Sequence, residues 1–477
     1  MNDSYDVIVI GAGIGGLAAG ALLAKKGLSV AVFEAHKKPG GYCTSFKRKG
    51  FMFDSVLDAV SGAGEGGWLR RVLKRLDVDG EVGFVRLDPL RVDVFGGERI
   101  TIPGGIKDIR ELLYSLAPDE KEGISGLLAT MDEIYRKAMV TPPETLYTDP
   151  RLDGRAGPLS KYRRLSYKAL LDDFVKDKRV RAVMSDRSAF MGLPPSKVSA
   201  LAMTTMFMTY ASGGGYRIKD GAERLTDALV SGLRKAGGEL YTKSPVTEIH
   251  QMDGKVSGVD VSGREVKAKA VVSAIDAGLT AGLSGAKPGY ASLKHSISFF
   301  MVYLCLDTAF EMPDSMGYYP GYDVEGTFAD VAADIASPNA SMEVINYSNI
   351  SSGMTKAGGA SVMLMSKAAY NYKEDWKACK GREMDRLVDF AERNVLPGLK
   401  DCISYAEAAT PLTLERYTGN SCGAAFGWEQ GVGNVRPGAM TDIPGLYLAG
   451  HWTYPGGGIE SVAASGIVAA EKVAAYL

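Results

Sequence analysis

The chain is poor in the groups that build metal centres and redox relays, with only five cysteines and four histidines in 477 residues. Cys43, Cys305, Cys379, Cys402 and Cys422 include no C-x-x-C pair and no companion histidine cluster, so neither a structural zinc site nor a dithiol relay is expected, and no metal. A reduced, cytoplasmic setting fits best. Charge of one sign is also missing: 55 basic and 56 acidic side chains leave a net charge of -1, and no global field favours nucleic acid. The longest nearly apolar run, residues 200–211, falls short of the roughly 18 residues that suggest a membrane span. No charged and then apolar leader precedes Tyr5, so a cleaved secretion signal is not expected. Internal repeats and low-complexity tracts are absent as well. What is present is ordinary globular composition, 46% hydrophobic and 23% charged. The length exceeds the roughly 250 to 300 residues at which one core stops growing, which predicts at least two domains.

Residues 5–10 (YDVIVI) form a β-branched run without alternation, the pattern of a strand buried on both faces. Residues 15–26 then carry apolar side chains at helical spacing and end on Lys25, Lys26 and Gly27, while 29–33 resume the strand pattern and stop at Glu34. This is a complete βαβ unit. A second block follows the same logic, with a helix over 225–236, strands over 246–250, 256–261 and 265–270 joined at Asp253-Gly254 and Ser262-Gly263, and a buried strand over 270–274. The C-terminus supplies a strand at 446–449, a glycine cluster and a helix from Ile459 to about Tyr476. Between these blocks, 76–210 and 287–410 lack the dinucleotide-binding pattern. Helices are predicted over 112–139 and 167–187, with Pro142-Pro143 and Pro194-Pro195 as breaks.

In Gly11-Ala12-Gly13-Ile14-Gly15-Gly16, the first glycine permits the tight turn and the second lets backbone approach a pyrophosphate, while Gly16 packs helix on strand. Glu34 stands where it would accept hydrogen bonds from a ribose. Up to this point NAD and FAD fit equally. Gly40-Gly41, followed by Tyr42 and Thr44, adds a second close-approach loop, and 450–458 adds a third; so many contacts suit FAD. Val246, Gly450, His451, Gly458, Ile459, Glu460 and Ser461 complete the expected cofactor contacts. The last helix would direct its positive end at a reduced flavin's pyrimidine edge; alternatively Glu460 and Ser461 merely serve the helix start. A second G-x-G-x-x-G match, Gly62-Ala63-Gly64-Glu65-Gly66-Gly67, has no acidic-ended strand after it. It reads as a flexible loop, and no dedicated NAD(P)H site is expected.

These motifs, YDVIVIGAGIGGLAAGALLAKKGLSVAVFEA, the Gly40-Gly41 doublet with Gly50-Phe-Met-Phe-Asp54, TPLTLERYTGN at 410–420 and LYLAGHWTYPGGGIESVAASG near the end, resemble the carotenoid desaturase, carotenoid isomerase and retinol saturase family. That family lies within the flavin amine oxidase-like superfamily. The resemblance implies an α/β fold: a Rossmann-type FAD-binding domain from 1–75, 211–286 and 411–477, and an inserted α+β substrate domain from 76–210 and 287–410. It also implies FAD and a hydrophobic polyene or isoprenoid substrate taken from membranes, with desaturation, saturation or isomerisation all open. The chain departs from the pattern at Tyr42, where many relatives have arginine, and at His451, where many have an acidic residue. Asp58 stands where saturase-like relatives often carry histidine.

For proton transfer the candidates are Asp58 and Glu460, with turn capping and helix-dipole service as their respective structural roles. Trp452 and Tyr454 are expected to line the flavin pocket, and Cys43 to be a small core residue. His451 faces the ribitol chain or packs as a hydrogen-bonded histidine. Basic residues over 155–187, interleaved with Tyr162, Leu165, Tyr167, Leu170 and Phe174, form either a headgroup-facing surface or a solvated face, which makes 155–210 the candidate membrane-contacting part. The stretch 203–210 (MTTMFMTY) lines a polyene tunnel or belongs to ordinary core. A flavin amine oxidase and a non-catalytic isoprenoid-binding escort are the alternatives in function.

Overall fold

In a computed structural model, which describes residues 1–152, 157–286, 290 and 292–477, the strand Ser4–Ile10 lies at the centre of a parallel array. It pairs with Val30–Phe33 on one side and Arg264–Ser273 on the other. Glu239–Tyr241 extends the array beyond the first and Leu446–Leu448 beyond the second. Val7, Ile8 and Val9 are fully buried, as an unalternating β-branched strand covered on both faces requires. The helix Ile14–Lys25 covers one face and is itself buried from Ile14 to Ala24. The C-terminal helix Ile459–Tyr476 crosses it closely enough that a side chain at Gly466 would run into the Gly15 carbonyl. That contact is why both helices are made of small residues.

The break expected at Ala270 does not exist. Arg264–Ser273 is one strand whose first half pairs antiparallel with Lys255–Val261 and whose second half joins the parallel array. A second seven-stranded sheet runs Ile403–Ala409, Ser298–Leu306, Ala360–Ala368, Met342–Asn346, Ser315–Tyr319, Arg91–Phe95, Glu98–Ile102. Its pairings are antiparallel except the one between Ser315–Tyr319 and Arg91–Phe95. The helix Trp376–Asn394 packs on one face of it. The other face carries Phe299, Met301, Tyr303, Met363 and Met365, clustered with Phe51 and Phe53 of the hairpin Ser45–Arg48 and Phe51–Asp54.

The helices between Ile106 and Gly213 share one apolar core. Two predicted helices are each divided. The first becomes Ile106–Leu116 and Lys121–Val140, interrupted at Pro118, whose ring cannot continue a helix. The second becomes Tyr167–Asp172 and Lys178–Ser185, where Asp177 caps the new start by accepting from the Arg179 and Val180 N–H groups. This packing divides the stretch of basic and aromatic residues, of which Leu165 is exposed. Tyr162, Tyr167 and Leu170 are buried in the helical core, and Lys161, Lys168 and Arg181 are paired with Asp173 and Asp172. Arg155 and residue 287, where two expected segments begin, lie outside the described residues.

Asp54 ties the hairpin to the first sheet's helices. Its Oδ1 accepts from the Ser45 hydroxyl at 2.6 Å and the Ala222 N–H at 2.7 Å. Burial nevertheless pushes its pKa up to about 6, against those hydrogen bonds. An acid with a raised folded pKa holds its proton in a window where the unfolded chain has lost it, so its contribution to stability declines as pH rises from about 4 to 6 and is flat above. The stability of Asp54→Asn relative to wild type is therefore expected to rise by up to about 3 kcal/mol between pH 4 and pH 7. Urea unfolding at both pH values checks this, and a constant difference rules it out.

Candidate active site

A single cavity of about 2030 Å³ runs from Glu34 and His36, past the first glycine turn, to Met206 and Tyr210. The glycines of that turn have separate physical reasons. Gly11 sits at φ +92°, where only glycine is unstrained. Gly16 does not line the cavity; a side chain there would run into the Gly11 carbonyl, which is the expected helix-on-strand contact. A Cβ on Gly15 would meet the Gly450 nitrogen at 2.9 Å. Gly13 is different: its φ of -70° suits any residue, and a Cβ would meet no protein atom within 4 Å. Neither conformation nor packing demands glycine, which leaves close approach of a ligand.

The helix that begins here has no side-chain cap and no acidic residue in its first turn, so its N–H groups and positive dipole end are open to an anion. Glu34 accepts from the Ala12 N–H and the His36 N–H, both at 2.8 Å, which fixes its carboxylate beside the turn with lone pairs to spare. Gly40 donates to the Ala12 carbonyl at 2.8 Å, bringing Gly41 against Gly13. The Thr44 hydroxyl donates to the Gly41 carbonyl at 3.2 Å. Val246, Gly450, Gly458, Ile459 and Ser461 also line the cavity. Gly458 repeats the Gly13 signature in one respect, with no protein atom within 4 Å of a Cβ.

The Tyr42 hydroxyl donates to the Ala424 carbonyl at 3.0 Å, and burial pushes its pKa up to about 12. His451 lines the cavity and is also hydrogen-bonded. The Trp452 indole, which can only donate, reaches Asn420 Oδ1 at 2.8 Å, and His451 Nε2 faces the same oxygen at 3.0 Å. Nε2 therefore carries the hydrogen. Burial pushes the imidazole pKa down to about 4, with Asp276 and a hydrogen bond to the Ala425 backbone opposing, so the ring is neutral at pH 7. Asn420 ends a quoted motif, yet its clamp on two residues of another motif had no local signal.

Trp452 and Tyr454 do not line the cavity, contrary to expectation. Trp452 is held back by Asn420, and Tyr454 stacks on Tyr147 at 5.1 Å. Cys43 is buried, with its thiol donating to the Ala222 carbonyl. The 203–210 stretch divides: Met203, Phe207 and Met208 belong to core, while Thr205, Met206, Thr209 and Tyr210 face the cavity.

The two candidate carboxyls stand in unlike surroundings. Asp58 caps no turn. It is buried, with Oδ1 on Arg217 Nη2 at 3.0 Å and Oδ2 accepting from the Ser315 hydroxyl at 3.1 Å. Glu460 accepts from the Ser61 hydroxyl at 2.8 Å. Burial raises its pKa, while Ser61 and the Trp68 N–H lower it. Arg217 and Ser61 both lie far from their carboxyls in sequence, which is why neither was anticipated.

The residues fit FAD: a cradle that side chains would fill, uncapped starts to two helices, and a carboxylate at the ribose end. Similarity to known proteins agrees. An all-trans-retinol 13,14-reductase of Danio rerio is 26% identical, covering 94% of this chain and 82% of its own length. A prolycopene isomerase of Arabidopsis thaliana is 25% identical over 99% of this chain and 83% of its own. A neurosporene-forming phytoene desaturase of Rhodobacter capsulatus is 26% identical over 98% and 93%. The fold is shared with an oxidoreductase of Methanosarcina mazei, at a TM-score of 0.70 and 20% identity over 98% of this chain and 99% of that one. With residues 14–474 matching it, the chain belongs to the flavin containing amine oxidoreductase family and is an FAD-dependent oxidoreductase.

Proposed function

We propose that this enzyme acts on a carbon–carbon bond of a hydrophobic polyene or isoprenoid, as a desaturase, saturase or isomerase. The observation that carries the reading is the cavity's continuation beyond the glycine cradle between Leu57, Met191, Leu201, Ala202 and Met206. Its volume of about 2030 Å³ is roughly twice the upper end of ordinary ligand pockets, enough for a dinucleotide and a long ligand together. Methionines suit an irregular apolar chain.

In this reading Gly11, Gly13, Gly15 and Gly16 shape the pyrophosphate turn, and Glu34 holds the ribose. Gly40, Gly41, Tyr42, Thr44 and Val246 close over the dinucleotide, and Gly450, His451 and residues 458–461 border the flavin. FAD supplies a two-electron acceptor when oxidised and a donor when reduced. The apolar arm orients the substrate and excludes water. Such substrates reside in bilayers, and the proposal includes peripheral contact at the membrane's inner face; no described helix is long and apolar enough to cross one.

The test is anaerobic incubation of the FAD-loaded protein, oxidised and reduced in turn, with phytoene, prolycopene and all-trans-retinol, followed by mass and absorption analysis. Loss of two hydrogens, gain of two, or unchanged mass with a shifted spectrum is expected, one for each chemistry. Peroxide release driven by amines with no polyene converted overturns the reading in favour of an amine oxidase. Polyene binding without conversion in either redox state overturns it in favour of an escort.

A further inference from the structure

The second glycine motif, 62–67, has no part in the cofactor cradle, and the structure gives it another task. A side chain at Gly67 would strike the Gly62 carbonyl, and a Cβ at Gly64 would lie 2.5 Å from the Tyr216 hydroxyl. Those two glycines are explained by the loop folding on itself and its neighbour. Gly62 has a turn conformation of its own, at φ +66°, and a further reason besides: a side chain there would strike the carboxyl of Glu460. What this glycine makes room for is an acid 398 positions away.

Around that acid the loop forms a socket. Ser61 donates to Oε2 at 2.8 Å, and the Trp68 N–H acts on the carboxyl from the start of Trp68–Arg75, a helix with no side-chain cap. Glu460, Ser61 and Tyr210 all line the cavity. No basic side chain pairs with Glu460 among the described residues. Asp58 differs on this point, because it is ion-paired with Arg217. We propose that Ser61 and the 62–68 turn present the Glu460 carboxyl to the substrate as the group that exchanges a proton with it. Burial raises the pKa of this carboxyl, against the two donors.

This assignment rests on the polyene reading. In the saturating direction the Glu460 O–H bond breaks as a C–H bond forms at one alkene carbon. Reduced FAD, when bound, would supply the hydride and its electron pair to the neighbouring carbon, which balances the substrate's gain of two hydrogens against the cofactor's loss of two electrons. Water then reprotonates Glu460. Desaturation reverses each transfer, with Glu460 taking the proton. In isomerisation the proton is added and removed again.

The experiment uses the FAD-loaded enzyme and the polyene it converts. Glu460→Gln is expected to lower kcat on the order of 100-fold or more, with KM within a few-fold and FAD content unchanged. Ser61 acts as a positioning residue. Removing its hydrogen bond in Ser61→Ala should move the pH limb of kcat upward, and Ser61→Thr should restore it. The carboxyl band in infrared pH-difference spectra should move with that limb in Ser61→Ala and vanish in Glu460→Gln. An active wild type whose Glu460→Gln variant keeps kcat within threefold and the same pH limb overturns the assignment. A wild type silent toward every polyene overturns the reading beneath it, and is recognised because no substitution is involved.

Discussion

Gly13→Ala is expected to fold as wild type does and to bind FAD on the order of 100-fold more weakly, about 2.7 kcal/mol, whereas Gly16→Ala should not reach a stable fold. Both substitutions add one methyl group to the same turn. At position 13 the backbone is already in an allowed region and the methyl meets no protein atom, so its only opponent is the ligand. At position 16 the methyl meets a main-chain carbonyl of Gly11, and neither strand nor helix can yield, since both are buried in the first sheet's core. Overpacking of that kind costs about 3 kcal/mol or more, a large share of the roughly 5 to 15 kcal/mol that holds a domain together. FAD titration and thermal melting of the apoproteins separate the cases. A Gly13→Ala protein that retains wild-type affinity removes the pyrophosphate from Gly13.

The same contrast explains what could be read in the sequence. The first glycine motif is legible because its reasons are local: strand, turn, helix and Glu34 follow one another within about thirty residues, and periodicity places each. The second motif has the same spelling and a different cause, since Gly62 answers to Glu460 at the other end of the chain. A glycine shows that room is needed and not for what. Periodicity similarly marked Tyr162, Tyr167 and Leu170 as one apolar set without saying whether water, lipid or another helix would meet it; the core does. Trp452 was expected at the flavin because its motif is, but a hydrogen bond to Asn420 turns the indole away. Pro118 is the exception: the break it makes was visible in the sequence, and the apolar periodicity on both sides obscured it.

Arg217→Met is expected to destabilise the protein by about 3 to 5 kcal/mol, because it leaves a buried carboxylate without its cation. Asp58 would keep only the Ser315 hydroxyl. Asp58→Asn alone should also be costly, since Arg217 would retain just the Asp314 carbonyl at 2.8 Å and the face of Tyr347 at 5.2 Å. The two substitutions together should cost much less than their sum, because a buried pair replaced as a pair leaves no orphaned charge. Urea unfolding of the four proteins measures the coupling, expected to be about 2 kcal/mol or more. The result bears on the chemistry. A strong coupling means that Asp58 is bound to Arg217 as part of the cavity wall, in contrast to Glu460, which among the described residues has hydrogen-bond donors and no cation. Additive costs would mean that Asp58 and Arg217 do not sense each other, and would return Asp58 to the cavity as a free base.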